Sequence, residues 1–190
     1  MTDNLICIIL VTIGMVILIL GGAKSGKSKF ALEYAENLSF IKNFYYLATA
    51  QALDEEMKEK IEKHQRERKE FWKLIEEPIE IKEKLELLNE SGNLILIDCL
   101  TLWITNLMEK NLEIEIKFRE FLEILESFSK KEDRGVICVG NEVGLGLVPE
   151  NFLGRKFRDY AGLLNQRVAN LAKEVYFLVA GCPIKIKHEA

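Results

Sequence analysis

Five short runs of Val, Ile, Leu and Tyr alternate along the chain with longer amphipathic stretches, and that alternation sets the first expectation about architecture. The runs are "VILIL" (16 to 20), "FYYLAT" (44 to 49), "LILID" (94 to 98), "GVICVG" (135 to 140) and "VYFLVA" (175 to 180). Each is almost uninterrupted in its hydrophobicity, which predicts strands buried on both faces of a parallel sheet rather than strands with one wet side. The stretches between them predict helices at about 27 to 37, 53 to 71, 79 to 89, 100 to 109, 113 to 130 and 155 to 173. The expected class is therefore α/β, with a mostly parallel sheet flanked by helices.

The first run leads directly into "GGAKSGKS", residues 21 to 28, which fits G-x-x-x-x-G-K-[ST] without a mismatch. In such a loop Gly21, Gly22 and Gly26 let backbone N–H groups converge on phosphate oxygens, and the following helix adds the positive end of its dipole. Lys27 is placed to reach the outer phosphates, and Ser28 to ligate Mg2+. The acid expected to complete the magnesium shell closes a buried strand, and Asp98 at the end of "LILID" is the candidate. It could also cap the helix beginning near Leu100, but the phosphate loop favours the metal role. Cys99 follows it, where a second acid would be needed to activate water, which counts against an ATP-hydrolysing motor.

Composition narrows the choice of partners. The 190 residues carry 48% hydrophobic and 29% charged side chains, enough for one domain with a full core. A net charge of -4 offers no broad attraction for nucleic acid or an anionic membrane, so anion binding must be local. Cys7, Cys99, Cys138 and Cys182 lie far apart in apolar surroundings, which reads as reduced core thiols in a cytoplasmic protein with no cysteine metal site. The opening "LICIILVTIGMVILIL" is broken only by Thr12 and Gly14. A membrane span needs about 20 apolar residues, and the last six of these are needed for the strand before the phosphate loop. No span is expected, and the domain is placed at 15 to 190 with residues 1 to 14 as an extension.

In the second predicted helix Leu53, Met57 and Ile61 mark a buried face, and continuing it reaches His64 and Arg68. Beside a polyphosphate site, that pairing reads as a nucleophile with a phosphate clamp. The remaining histidine is His188. A last candidate region, residues 140 to 166, leaves a strand through Gly144, Gly146 and Pro149 and offers Glu142, Glu150, Arg155, Arg158, Asp159 and Asn165. An ordinary connection with a charged helix face is an equal reading of it.

Taken together, "GGAKSGKS", "YLATAQALDEEMKEKIEKH", "W-x3-EEP" (Trp72 to Pro78), "LIDCLTLWITNL", "NEVGLGLVPEN", "FRDYAGLLNQ" and "VAGCPIKIK" resemble one family across residues 15 to 187. It is the bifunctional adenosylcobinamide kinase and adenosylcobinamide-phosphate guanylyltransferase family of cobalamin biosynthesis. Two departures are visible: Lys69 stands where the family has proline, and residues 1 to 14 have no counterpart. The resemblance implies a P-loop NTPase fold of the RecA-like kind and two reactions. ATP or GTP phosphorylates adenosylcobinamide. GTP then gives GMP to a histidine, and adenosylcobinamide phosphate takes it up to form adenosylcobinamide-GDP.

By the same resemblance His64 is the guanylylated residue and Lys27 the catalytic lysine. Its nucleotide contacts carry over to Gly21, Gly22, Ala23, Lys24, Ser25, Gly26, Lys27 and Ser28, to Ala48, Thr49 and Ala50, to Gln65, Arg66, Glu67 and Arg68, and to Glu76 and Asp98. It also implies a homo-oligomer, with a trimer as the expected form. The competing readings are a P-loop ATPase or nucleotide-dependent interaction module with a structural His64, and a kinase-only relative.

Overall fold

The computed structural model describes residues 14–51, 55 and 68–187. Its elements in order are β1 (Met15–Gly21), α1 (Lys27–Glu36), β2 (Asn43–Ala48), β3 (Trp72–Glu76), α2 (Ile81–Leu88), β4 (Asn93–Asp98), α3 (Leu100–Glu109), α4 (Ile114–Ser129), β5 (Gly135–Asn141), α5 (Phe152–Leu171), β6 (Glu174–Val179) and β7 (Cys182–Lys187). The strands form one sheet in the order β3-β2-β4-β5-β1-β6-β7. All neighbours pair in parallel except β6 and β7. The predicted α/β class and the mostly parallel sheet are both present.

β1 is the centre of the core because every one of its seven residues is buried. Alternation along a strand sends its side chains to opposite faces, and β1 supplies two separate cores in this way. Met15, Ile17 and Ile19 pack with Ala31, Leu32 and Ala35 of α1. Val16, Leu18 and Leu20 join the larger cluster under α2, α3, α4 and α5, which holds Trp103, Phe118, Phe121 and Phe128. The Trp103 ring lies 5.1 Å from Phe121 and 5.8 Å from Phe118. Its indole N–H donates to the Ile79 carbonyl at 2.8 Å, so no polar atom of this large side chain is left bare.

Several boundaries differ from the sequence expectation. α2 begins at Ile81 rather than 79, because the Glu77 carboxylate accepts the N–H groups of Ile79 and Glu80 at 3.1 and 2.9 Å and holds them outside the helix. α5 begins at Phe152 rather than 155, where Asn151 caps it by accepting the Gly154 N–H at 2.6 Å. β3 and β7 are additional edge strands. Of the expected helix over 53 to 71, residues 68 to 71 are not helical: they turn so that Trp72 can enter the sheet beside Phe44. Most of that span, including His64, lies outside the described residues, as do residues 1 to 13 and His188.

Gly14, assigned to the extension, packs tightly at the base of β1. A Cβ there would meet the carbonyl oxygens of Lys131 and Phe128 at 1.8 and 2.0 Å, so only glycine fits. Among the described residues no helix is long and apolar enough to cross a membrane.

Candidate nucleotide site

Parallel strands place all their C-terminal ends along one edge of the sheet, and the candidate residues collect there. Gly21 ends β1, and the loop runs through exposed Gly22, Ala23 and Lys24 to Ser25 and Gly26 before α1 starts at Lys27. Two glycines are required by geometry. Gly26 caps α1 at φ 93°, in the left-handed region. At Gly21 a Cβ would stand 2.6 Å from the Leu178 carbonyl oxygen and 2.7 Å from Ser25 Oγ. The loop is braced from the far end of the chain, since the Gly181 N–H donates to the Ser25 carbonyl at 3.0 Å.

Lys27 is buried and folds back, its ammonium donating to the Gly22 carbonyl at 2.6 Å. Burial holds its pKa below the ordinary lysine value, against the charges of Cys99 and Asp98, which favour the ammonium. Ser25 Oγ is buried without a hydrogen-bond partner in the described structure. An unpartnered hydroxyl and a desolvated ammonium in a loop that opens a helix fit a phosphate chain, which would satisfy both.

The register across the sheet aligns a second set. Ala48 pairs with Glu76 on one side and Asp98 on the other, so the three form one row at the ends of β3, β2 and β4. Asp98 Oδ2 accepts hydrogen bonds from Ser28 Oγ at 2.8 Å and from the Tyr46 hydroxyl at 2.6 Å. Asp98 and Ser28, assigned to magnesium from sequence, are thus brought into contact across 70 positions. Two hard oxygen donors of this kind suit Mg2+, which takes few protein ligands and keeps waters and phosphates for the rest. No group of three or more His, Cys, Asp or Glu that could hold a metal occurs among the described residues.

Thr49 is fully buried, with its hydroxyl donating to the Cys99 carbonyl at 2.8 Å and accepting the Cys99 N–H at 2.9 Å. Asn106 Nδ2 donates to the Thr49 and Pro78 carbonyls at 2.8 and 3.0 Å. Together these lock the chain turning out of β2 onto the start of α3. Ala50 is partly exposed beside them and Glu76 is exposed.

Arg68 lies over Tyr46, its guanidinium carbon 4.0 Å from the ring centroid, a cation–π contact. Tyr46 therefore touches both Asp98 and Arg68, and the sequence reading passed over it. The only signal for it was its place in "FYYLAT", two residues before Ala48 on the same face. Gln65, Arg66 and Glu67, like His64, are outside the described residues, so the proposed His64–Arg68 pairing is as well.

The loop after β5 is anchored to the phosphate loop, with the Glu142 N–H donating to the Gly21 carbonyl at 3.0 Å. Asn141 donates to Thr101 Oγ1 from its backbone and side-chain nitrogens, both at 3.2 Å. Arg155 and Arg158 point back at this loop and donate to its carbonyls, Arg155 at Pro149 and Glu150 and Arg158 at Gly144. The two arginines hold the connection in shape. Of the cysteines read as core thiols, Cys99 and Cys138 are buried and Cys182 is exposed, because β7 is an outer strand. Cys7 is outside the described residues.

Comparison with known proteins gives the family of the chain. A family model described as cobinamide kinase / cobinamide phosphate guanyltransferase matches residues 17–186. The bifunctional adenosylcobalamin biosynthesis protein CobP of Pseudomonas aeruginosa is 42% identical over 90% of this chain and 97% of its own length. The bifunctional adenosylcobalamin biosynthesis protein CobU of Escherichia coli K12 is 35% identical over 91% and 100%. Among solved structures, an ATPase from the type III secretion system of pathogenic bacteria superposes with a TM-score of 0.57 at 13% identity, covering 88% of this chain and 51% of that one. The ATPase domain of a second protein gives 0.52 at 16%, covering 93% and 78%. At such identities these two speak for the fold alone, a RecA-like P-loop fold.

Proposed function

The chain belongs to the cobinamide kinase / cobinamide phosphate guanyltransferase family, and we propose that it phosphorylates adenosylcobinamide and then guanylylates the product through His64. The observation that carries this is the chain of contacts from Ser28 to Asp98 to Tyr46 to Arg68. It ties the phosphate loop to Arg68, which stands four positions after His64 in the sequence.

In the kinase step the loop N–H groups and the start of α1 hold the triphosphate of ATP or GTP. Lys27 exchanges the Gly22 carbonyl for phosphate oxygens and stabilises charge on the group in transfer. The acceptor hydroxyl forms a bond to the γ-phosphorus and gives up its proton to solvent, the bond from that phosphorus to the bridging oxygen breaks, and the nucleoside diphosphate leaves. Ser28 and Asp98 are the residues that would hold Mg2+, which when bound neutralises charge on the phosphates.

In the second reaction a neutral His64 nitrogen bonds to the α-phosphorus of GTP and pyrophosphate departs. A phosphate oxygen of adenosylcobinamide phosphate then attacks that phosphorus, the phosphorus–nitrogen bond breaks and adenosylcobinamide-GDP forms. Arg68 is suited to balance charge on the transferring group. Separating the transfer into two displacements lets pyrophosphate leave before the bulky corrinoid arrives.

The test is labelling with α-labelled GTP. Wild type and His188→Ala are expected to acquire an acid-labile, alkali-stable GMP adduct, and His64→Ala to acquire none while still phosphorylating adenosylcobinamide. An adduct that persists in His64→Ala moves the nucleophile elsewhere. A wild type that phosphorylates but never labels leaves the kinase-only reading.

A further inference from the structure

We propose that Tyr46 is a positioning residue that sets Asp98 and Arg68 as one unit, an inference that rests on the site reading above. Tyr46 is 4% exposed, and its side chain is wedged between the carboxylate and the guanidinium. Trp72 closes it at right angles from the β3 side, with ring centroids 6.3 Å apart and planes at 86°. The phenol is the donor in its contact with Asp98. That donor has one hydrogen, and Asp98 Oδ2 takes it.

Two consequences follow from sharing. Ser28 and Tyr46 both donate to the same oxygen, so the carboxylate is fixed from two sides, by the helix after the phosphate loop and by β2. A carboxylate held this way meets a cation without first being reoriented, which is how a supporting hydrogen bond raises metal affinity. The same ring carries Arg68, whose guanidinium carbon stands 4.0 Å from its centroid, and a guanidinium held on an aromatic face keeps a planar fork of N–H donors that matches phosphate oxygens. A shift at Asp98 therefore reaches Arg68 through one rigid side chain. An apolar core residue at 46 would fill the space and provide neither tie.

The experiment uses the full chain and calorimetric binding of a non-hydrolysable GTP analogue, once with magnesium and once with EDTA. Tyr46→Phe, which keeps the ring, is expected to bind about tenfold more weakly with magnesium, the fold-change of one hydrogen bond to a charged group, and as wild type with EDTA. Equal affinity with magnesium, or an equal loss in both conditions, overturns the tie to Asp98. For the tie to Arg68, Tyr46→Leu, Arg68→Ala and their double variant are compared with magnesium. The double variant is expected to bind no worse than the weaker single, since both remove one contact; losses that multiply overturn it. None of these arms requires group transfer. A wild type that never forms the GMP adduct would therefore defeat the proposed reaction while leaving this inference to stand or fall on binding.

Discussion

The two halves of the site are built in opposite ways. On the β1 side, residues 21 to 28 make the grip from contiguous backbone, and two glycines there are dictated by a positive φ and by a 2.6 Å approach. On the β2 side, Arg68, Glu76, Tyr46 and Asp98 come from separate segments, and register and side-chain hydrogen bonds bring them together. A contiguous grip serves any reaction of a nucleoside triphosphate. Under the proposed function, an assembled half is where one reaction would be separated from the other, because its members are free to differ in which phosphate they serve.

The comparison predicts how substitutions sort. Lys27→Ala should lower both phosphorylation and guanylylation by about a hundredfold or more, the scale of losing one preorganised donor to developing charge; assaying the two reactions side by side checks it, and loss of one alone would mean two separate grips. Arg68→Ala should slow GMP labelling by about tenfold to a hundredfold and leave the kinase rate within about twofold. Equal losses in both reactions would erase the distinction between the halves.

Effects on stability come next. Gly21→Ala should destabilise the fold by about 1–3 kcal/mol in chemical denaturation, because its methyl group would meet the Leu178 carbonyl. Lys27→Met should raise the thermal midpoint without nucleotide while abolishing activity. Burial lowers the Lys27 pKa, so in the folded state the charged form is carried at a cost that is relieved as pH rises through the folded value. An unchanged or lower midpoint across neutral pH would contradict that cost.

The smallest effect is expected away from both halves, at Glu174 on β6. Burial raises the pKa of its carboxyl, but hydrogen bonds from Lys185, Tyr176 and Tyr34 outweigh this and hold it below the usual value of 4.5. A depressed carboxylate lends stability that is full above its unfolded pKa and lost as pH falls through the folded one. Glu174→Gln should therefore flatten the acid side of the thermal-stability profile and leave both reactions unchanged.

The same contrast explains what could be read from the amino-acid order. The phosphate loop, β1 and the start of α1 are local in sequence, and residue types at fixed spacing specified them. Asp98 was legible because a buried strand ending in an acid is unusual. Tyr46 was not, since a tyrosine in an apolar strand is indistinguishable from core until its neighbours on β4 and in the turn before β3 are known. β3 was hidden because "WKLIE" shows only Trp72 fully to the core, and its Lys and Glu continue the charge pattern of the preceding stretch. β7 was hidden because it pairs on one side only, so "CPIKIK" keeps every residue partly or fully wet and lacks the unbroken apolar signal of the inner strands.

The central position of β1 also governs the order in which the molecule can be completed during synthesis. Its Met15 pairs with Gly135 and its Ile17 with Glu174, and the brace on Ser25 comes from Gly181. β1 leaves the ribosome before the strands it pairs with and waits for partners made in the last third of the chain, and the loop it feeds is braced by Glu142 after β5 and by Gly181 between β6 and β7. Long-range parallel pairing of this kind is slow and leaves apolar strands uncovered in the meantime. A nascent chain halted after β4 would carry the whole phosphate-binding motif and still lack both neighbours of the strand that supports it.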